Sequence, residues 1–552
     1  MKKTIVVIGG VALGASSAAR LRRLSEESNI ILLEKDEHIS FANCGLPYHI
    51  GDIITDRDLL LIQTKESMKE RYNIDVRNYT EAIKIDRDKK VVIVDDKVNN
   101  QEYSIEYDKL IIASGAKPII PNIVGINDAS NVFSLRNISD MDKIKEYIKV
   151  NKVKTASIVG AGFIGLEMAE NLTHLGVKAT VLDLASQVMK QFDCDIADCI
   201  ENKMSENGVL FKLETSIKEF KNNGKQLLLT NNETIDSDIT IMAIGVKPEI
   251  KLAQDAGLEI GSTGGIKVND YLQTSDPDIF AGGDAVEIKN IITNNPTYLP
   301  LAGPANRQGR LIADFINDIK TPYDGVIGSA VIKIFDYVAA TTGLNETIAK
   351  NAGYNAKSIH VHRGNHASYY PNSTPLLLKL VFDEDTRKVL GAQAFGKDGT
   401  EKRIDVIATT IKFNGSVDDL ASLELCYAPP FSSPKDPVNI AGYVASNVLN
   451  KLYIPFYVNE IDSLIEKGVQ MIDVRSDEEY SISKLKNIKH LPIDELRNKI
   501  NEIDFSKDIY LLCYVGQRGY LAARILKELG FKKKIYNLSG GYKLYEDTLK
   551  TR

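Results

Sequence analysis

The chain has no tryptophan, only five cysteines in 552 residues, and no long uninterrupted apolar run. Each shortage excludes something. Cys44, Cys194, Cys199, Cys426 and Cys513 are odd in number and widely scattered, which makes a poor disulfide framework and lacks the clustered spacing of a zinc site. No metal is therefore expected, and a reducing cytoplasm is the expected location. A membrane span would need ~20 consecutive apolar residues, which the sequence does not offer. The opening "MKKTIVVIGG" ends in glycines with no small-residue cleavage site, so it reads as a strand and not a signal peptide. Basic residues are not in excess: 68 Lys and Arg face 74 Asp and Glu, and no positive field invites nucleic acid. What remains is an ordinary soluble composition, 43% hydrophobic and 26% charged, long enough for about three or four domains.

Two stretches repeat one pattern. "KTIVVIGGVALGASSAARLRRL" followed by "IILLEKD" reads as strand, glycine turn, amphipathic helix and strand. "ASIVGAGFIGLEMAENLTHLGVKATVLDL" does the same from residue 156. In the second copy Gly160, Gly162 and Gly165 form an unbroken GxGxxG, where glycine permits a tight turn and close approach of a pyrophosphate to the helix N-terminus. Asp183 follows Gly160 by 23 residues, placed to accept from a ribose 2′-hydroxyl and to repel a 2′-phosphate, which favours NADH while leaving NADPH possible. In the first copy Gly9 and Gly14 hold the outer positions, Val11 stands where the middle glycine would be, and Glu34 supplies the second acidic group. "YDKLIIASGAKP" and "SDITIMAIGVKPE" each read as a buried strand ending in a glycine turn and Lys-Pro, at crossings between nested domains. Near residue 326 the pattern shifts to strands with Tyr- and Pro-rich turns, and a last α/β segment follows "VLNKLYIPFYVNEID", a linker without Gly or Ser runs that predicts a docked module.

With Asp284 in "TSDPDIFAGGDA" added to the two fingerprints, the chain resembles the flavoprotein disulfide reductases with two dinucleotide folds. The resemblance implies FAD in the first fold, with Lys35 and Ala302 also at that site and Asp284 at the flavin ribityl chain, and NAD(P)H in the second. Family members with two redox cysteines carry the second thiol five residues after the first; here "SFANCGLPYHIGD" has Cys44 and then His49. Cys44 alone can store two electrons only by joining a sulfur from outside, or by forming a sulfenic acid. A nearby flavin and helix or backbone dipoles are expected to lower its pKa.

"ISFANCGLPYHIGD" further resembles the single-cysteine coenzyme A-disulfide reductases. That resemblance implies a homodimer in which Tyr369 and Tyr427 of the second subunit stand near the reacting sulfur, with Tyr370 an equally good neighbour. It also implies CoA contacts from Ser16, Arg20, Arg23, Ser40, Asn43, Asn306 and the second subunit's Lys435, with Arg22 or Arg71 sharing the role. At the C-terminal end "MIDVRSDEEY" and "LLCYVGQRGYLAARILKELGF" resemble a rhodanese domain, with Cys513 opening a loop that aims backbone N–H groups and Arg518 at one sulfur, and Asp473, Arg475 and Glu479 bracing it. Cys426 is expected to be packing. Cys194 and Cys199 fall on a helix and receive no role.

The expected architecture is α/β: an FAD-binding domain over 1–112 plus 250–325, an NAD(P)H-binding domain over 113–249, an α+β dimerisation domain over 326–450 and a rhodanese domain over 455–552. The expected activity is NADH-dependent reduction of CoA disulfide, CoA persulfide or polysulfide at Cys44, with the rhodanese module supplying or accepting sulfane sulfur; CoA is a substrate or stays bound. Two alternatives stay open. One is an NADH oxidase or peroxidase that cycles Cys44 through sulfenic acid, and the other gives the rhodanese module only a docking or sensing role.

Overall fold

The computed structural model describes residues 2–549, which divide into two compact units: 2–186 with 208–326, and 187–207 with 327–549.

The first unit holds two five-stranded parallel sheets of the same plan. In one, the strand order is Ile279–Ala281, Lys109–Ile112, Thr4–Ile8, Asn29–Leu33, Asp75–Arg77. In the other it is Val132–Phe133, Ile239–Met242, Thr155–Val159, Lys178–Leu182, Leu210–Lys212. Each has its glycine turn after the central strand and a three-stranded antiparallel appendage, Thr80–Glu106 in one and Ile217–Asp236 in the other. The central strands are apolar throughout because both faces are covered: Ile5 and Val7 enter one core, Val6 and Ile8 the opposite one. The two Lys-Pro segments pair with each other. Ala116–Pro118 and Val246–Pro248 form an antiparallel ribbon, with Lys117 bridged to Glu249 at 2.8 Å.

The second unit contains a five-stranded antiparallel sheet (Ala330–Ile334, Tyr337–Gly343, Val389–Gly396, Pro375–Asp383, Ala356–Gly364) and a five-stranded parallel sheet near the C-terminal end. The linker is itself part of that last sheet: Ile454–Phe456 pairs in parallel with Ile535–Leu538, and the Tyr457 hydroxyl donates to the Ser358 carbonyl at 2.9 Å. The module is docked on its neighbour, as a linker without glycine or serine runs predicts. The helix Cys194–Glu206, which in sequence lies within the second nucleotide fold, packs in this unit against the antiparallel sheet and the last helix.

Candidate functional site

The two glycine turns close in the same way. Gly9 has φ +99 and Gly160 φ +113; a Cβ on either would fall 2.2 Å from the Ala113 oxygen or 2.3 Å from the Ala243 oxygen. The helix then meets the strand so closely that a Cβ on Gly14 or Gly165 would overlap the oxygen of Gly9 or Gly160. Gly162 has a different task, since no atom lies within 4 Å of where its Cβ would be, and the space above the helix N-terminus stays open to a phosphate. Val11, its counterpart, has φ −96, outside the left-handed region that would call for glycine. The acidic residues brace these turns. Glu34 Oε2 accepts from the Gly10 N–H at 2.8 Å and Asp183 Oδ2 from the Ala161 N–H at 2.8 Å, while the second oxygens accept from Asp36 and Ala185. Each oxygen retains a lone pair for a ribose hydroxyl. Both cradles fit a dinucleotide.

Cys44 lies in a short 3-10 turn, Asn43–Gly45, that runs into the helix Leu46–Ile50 with Pro47 in its first turn, where a missing N–H costs nothing. Ser40, before it, has φ 44; its N–H donates to the Gly10 carbonyl and its own carbonyl accepts from Ile62, so the cysteine loop is tied to the first glycine turn. Cys44 is open to solvent, yet enough protein surrounds the site for burial to push its thiol up, with the carboxylates of Glu167 and Asp284 adding to the shift. Burial is thus the main cause that raises its pKa, with the two carboxylates second; the lowering expected from the sequence is tied to a bound flavin. His49, at the position of the absent second thiol, is buried and engages the Ile54 carbonyl through Nδ1 at 2.6 Å.

Sequence reasoning missed Tyr48 and Glu167. The Glu167 carboxyl is pushed up to about 7 by burial, against a hydrogen bond from Tyr48 that lowers it, and Glu170 on the same helix raises it further. The available signal was an acidic pair within "FIGLEMAE", a helix otherwise apolar enough to be buried. The helix bearing Tyr48 approaches closely: a Cβ on Gly51 would lie 2.3 Å from the Asn171 amide oxygen.

Of the CoA candidates, Ser16 and Asn306 meet, Ser16 Oγ donating to Asn306 Oδ1 at 2.5 Å between the first helix and the helix Ala302–Ile316. Arg20 is held by Asp314 at 2.6 Å, whereas Arg23 and Arg71 are exposed. Arg22 is a correction. It is buried and gives its donors to the carbonyls of Ser25, Glu26, Ser28, Tyr72 and Asn73, which leaves it a brace for the helix end and not a phosphate ligand.

In the second unit Tyr369 and Tyr427 are 73% and 45% exposed, and their hydroxyls are 2.9 Å apart. Arg403 joins the two loops from below, donating to the Asn365 carbonyl at 2.7 Å and to Asp436 at 2.9 Å. Lys435, beside Asp436, is exposed, as are Tyr370 and Phe431. Cys426 is exposed as well, so it does not pack as expected.

Cys513 directly follows the strand Ile509–Leu512 and opens the loop before the helix Gln517–Glu528. Its side chain is 0% exposed. The N–H groups of Val515, Gly516 and Gly519 point at its sulfur, Gly516 at 3.2 Å, and Arg518 lies close; burial still wins and pushes the thiol up. Arg518 is held bidentate by Glu479 at 2.6 and 2.7 Å. Beneath the loop the buried pair Asp473–Arg475, at 2.7 Å, sits against the Tyr542 ring. Cys199 is buried and Cys194 exposed on the helix Cys194–Glu206, and among the described residues no cluster could hold a metal ion and no helix is long and apolar enough to cross a membrane.

Comparison with known proteins accords with this geometry. The family model for pyridine nucleotide-disulphide oxidoreductases matches residues 3–309, that for their dimerisation domain residues 329–437, and that for rhodanese-like domains residues 458–548. A coenzyme A disulfide reductase of Staphylococcus aureus is 36% identical over 442 residues, 80% of this chain and 99% of the relative. Among solved structures, the reduced CoADR-RHD of Bacillus anthracis superposes with a TM-score of 0.98 at 48% identity, covering 100% of this chain and 99% of that one. An NAD-dependent persulfide reductase from A. fulgidus superposes with a TM-score of 0.93 at 36% identity, covering 98% and 100%. The two nested nucleotide folds, the lone Cys44 and the closed loop of Cys513 therefore belong to one architecture: the chain is a member of the pyridine nucleotide-disulphide oxidoreductase family, of the coenzyme A disulfide reductase kind, carrying a rhodanese-like domain at its C-terminal end.

Proposed function

We propose that this enzyme uses NADH to reduce CoA disulfide and CoA persulfide or polysulfide at Cys44, and that Cys513 carries sulfane sulfur to or from that chemistry. The observation that carries the reading is a solvent-open cysteine without a local thiol partner, set beside Asp284 and Glu167 in a two-dinucleotide frame, in a chain that holds a second sulfur in a cradle of N–H groups. FAD, when bound, relays the two electrons of NADH to sulfur.

The Cys44 thiolate attacks one sulfur of CoA disulfide; a Cys44–CoA disulfide forms and a CoA thiolate leaves. With CoA persulfide, attack on the inner sulfur expels hydrosulfide and gives the same mixed disulfide. Two electrons then cleave it to the Cys44 thiolate and a CoA thiolate. In this reading Tyr369 and Tyr427 come from the second subunit of a homodimer, and their paired hydroxyls supply a proton or a hydrogen bond to the leaving thiolate. Ser16, Arg20, Arg23, Ser40, Asn43, Arg71, Asn306 and the second subunit's Lys435 receive CoA. Gly9, Gly14, Glu34, Lys35, Asp284 and Ala302 hold FAD, and Gly160, Gly162, Gly165 and Asp183 hold NADH. The chain divides as 1–112 plus 250–325, 113–249, 326–450 and 455–552, and the protein works in the cytoplasm.

The test is anaerobic NADH oxidation with CoA disulfide and with CoA persulfide, in wild type, Cys44→Ser and Cys513→Ser. Sulfide release that needs Cys44 supports the reading. Reduction of oxygen or peroxide alone, with neither CoA substrate consumed, overturns it.

A further inference from the structure

The antiparallel sheet and the rhodanese-like module meet at a buried polar relay. Lys379, 3% exposed in the middle of its strand, pairs with Asp193 at 3.0 Å and with Asp195 at 2.9 Å. Asp195 also faces His360 Nε2, on the adjacent strand, at 2.8 Å. On the other side of the ring, His360 Nδ1 and the His360 backbone N–H both lie 2.9 Å from Ser539 Oγ. The pattern of donors closes on itself. The backbone N–H donates to Ser539 Oγ, Nδ1 shares a hydrogen bond with the same hydroxyl and Nε2 one with the carboxylate, so both ring nitrogens are engaged and the ring is held in one orientation. His362 and Tyr457 are the other polar rings beside His360, and neither takes one of these bonds.

Ser539 is the last residue before Gly540 and Gly541, both in the left-handed region at φ +78 and +67. The two glycines are threaded between His360 and the sulfur loop. A Cβ on Gly540 would sit 3.2 Å from the His360 Cβ, and one on Gly541 would sit 2.6 Å from the Cys513 oxygen and 2.5 Å from the Tyr514 oxygen. Directly after them the N–H of Tyr542 donates to the Cys513 carbonyl at 2.8 Å and that of Lys543 to the Tyr514 carbonyl at 2.9 Å. The peptide that carries the reactive sulfur is thus hung on a segment whose other end is fixed by a histidine of a different module.

We propose that His360 is a positioning residue for sulfur transfer at Cys513: by fixing Ser539 against the antiparallel sheet it sets Gly540, Gly541 and the start of the last helix, and through them the loop whose N–H groups face the sulfur. Asp195 and Lys379 anchor the ring. An N–H group shifted by a fraction of an ångström loses much of its hold on a buried anion, because hydrogen bonds to charged groups are short and directional. The inference rests on Cys513 being a working sulfur site, and its first readout does not depend on that site's substrate.

The experiment uses the full-length, FAD-loaded protein and the variants His360→Ala, His360→Gln and Ser539→Ala. The first readout is the pH midpoint of Cys513 alkylation, followed peptide by peptide. The second is sulfur transfer from thiosulfate to cyanide, and the reference is CoA-disulfide reduction at Cys44. In His360→Ala and Ser539→Ala the Cys513 midpoint moves up and sulfur transfer falls about tenfold, equivalent to ~1.4 kcal/mol of lost positioning, while CoA-disulfide reduction stays within about twofold. His360→Gln, which keeps a donor toward Asp195, recovers most of the midpoint. An unchanged midpoint in both the Ala variants overturns the proposal, and so does an equal loss of both activities, which is the mark of general destabilisation. If the wild type transfers no sulfur from thiosulfate, the reading of Cys513 as a carrier fails, and the midpoint alone still decides whether His360 positions the loop.

Discussion

Cys44 and Cys513 are built in opposite ways. Cys44 is open to solvent on a short turn, and the charges near it, Glu167 and Asp284, are negative. Cys513 is sealed, and what faces it are backbone N–H groups and an arginine. Protein alone therefore does little to make Cys44 a thiolate, and that work falls to whatever binds next to it. Cys513 is stabilised by its own loop, which offsets in part the burial that pushes its thiol up. The difference suits a redox cysteine that exchanges partners with large substrates and a carrier cysteine that must protect a labile sulfur from water.

The comparison is broken most directly by removing each sulfur. Cys44→Ser lowers NADH-driven CoA-disulfide reduction by about 1,000-fold or more, ~4 kcal/mol of transition-state stabilisation, whereas Cys513→Ser leaves that rate near wild type. Stopped-flow absorbance of NADH reads both. Next in size is Arg518→Met, which deletes a cation beside the sealed sulfur. A charge-assisted contact of ~1.5–3 kcal/mol is lost, so sulfur transfer falls about tenfold to a hundredfold and the Cys513 alkylation midpoint rises; Cys44 is untouched.

Asp183→Ser separates the sites by cofactor. It raises kcat/KM with NADPH about tenfold by removing a charge that repels the 2′-phosphate, and it leaves cyanide-linked sulfur transfer, which takes no nucleotide, unchanged. The smallest effect sharpens the account of Cys44. Glu167 has its pKa raised to about 7, so above that pH it is an anion that disfavours the neighbouring thiolate. Glu167→Gln removes this charge and lowers the Cys44 alkylation midpoint by about half a unit to one unit, with the gap from wild type closing below pH 7 where the native carboxyl is already protonated.

Much of this was legible in the sequence. The glycine spacings, Asp183 and Glu34 announce both nucleotide folds, because the strand-turn-helix junction tolerates few residues. Val11 was the weak point, and its negative φ shows that no left-handed turn demands a glycine there. Cys44 and Cys513 were legible from their flanks. What sequence could not give was the direction of the shift at Cys44, since Glu167 is more than a hundred positions away and meets it only through the approach of two helices at Gly51 and Asn171. Arg22 misled because an arginine on a helix looks the same whether its donors meet phosphate or five carbonyls. Asp195 and His360 carried no motif at all; only folding brings them to Ser539.

The ribbon of Ala116–Pro118 and Val246–Pro248 has a consequence for how such a chain can change. It places the two ends of a long insertion side by side, like the base of a hairpin, so the host fold is closed whether the excursion between them is short or long. The entropy of closing a loop grows only slowly with its length. A nucleotide-binding module at this point can therefore be exchanged, lengthened or given an arm such as the Cys194–Glu206 helix without reopening the fold that holds Cys44.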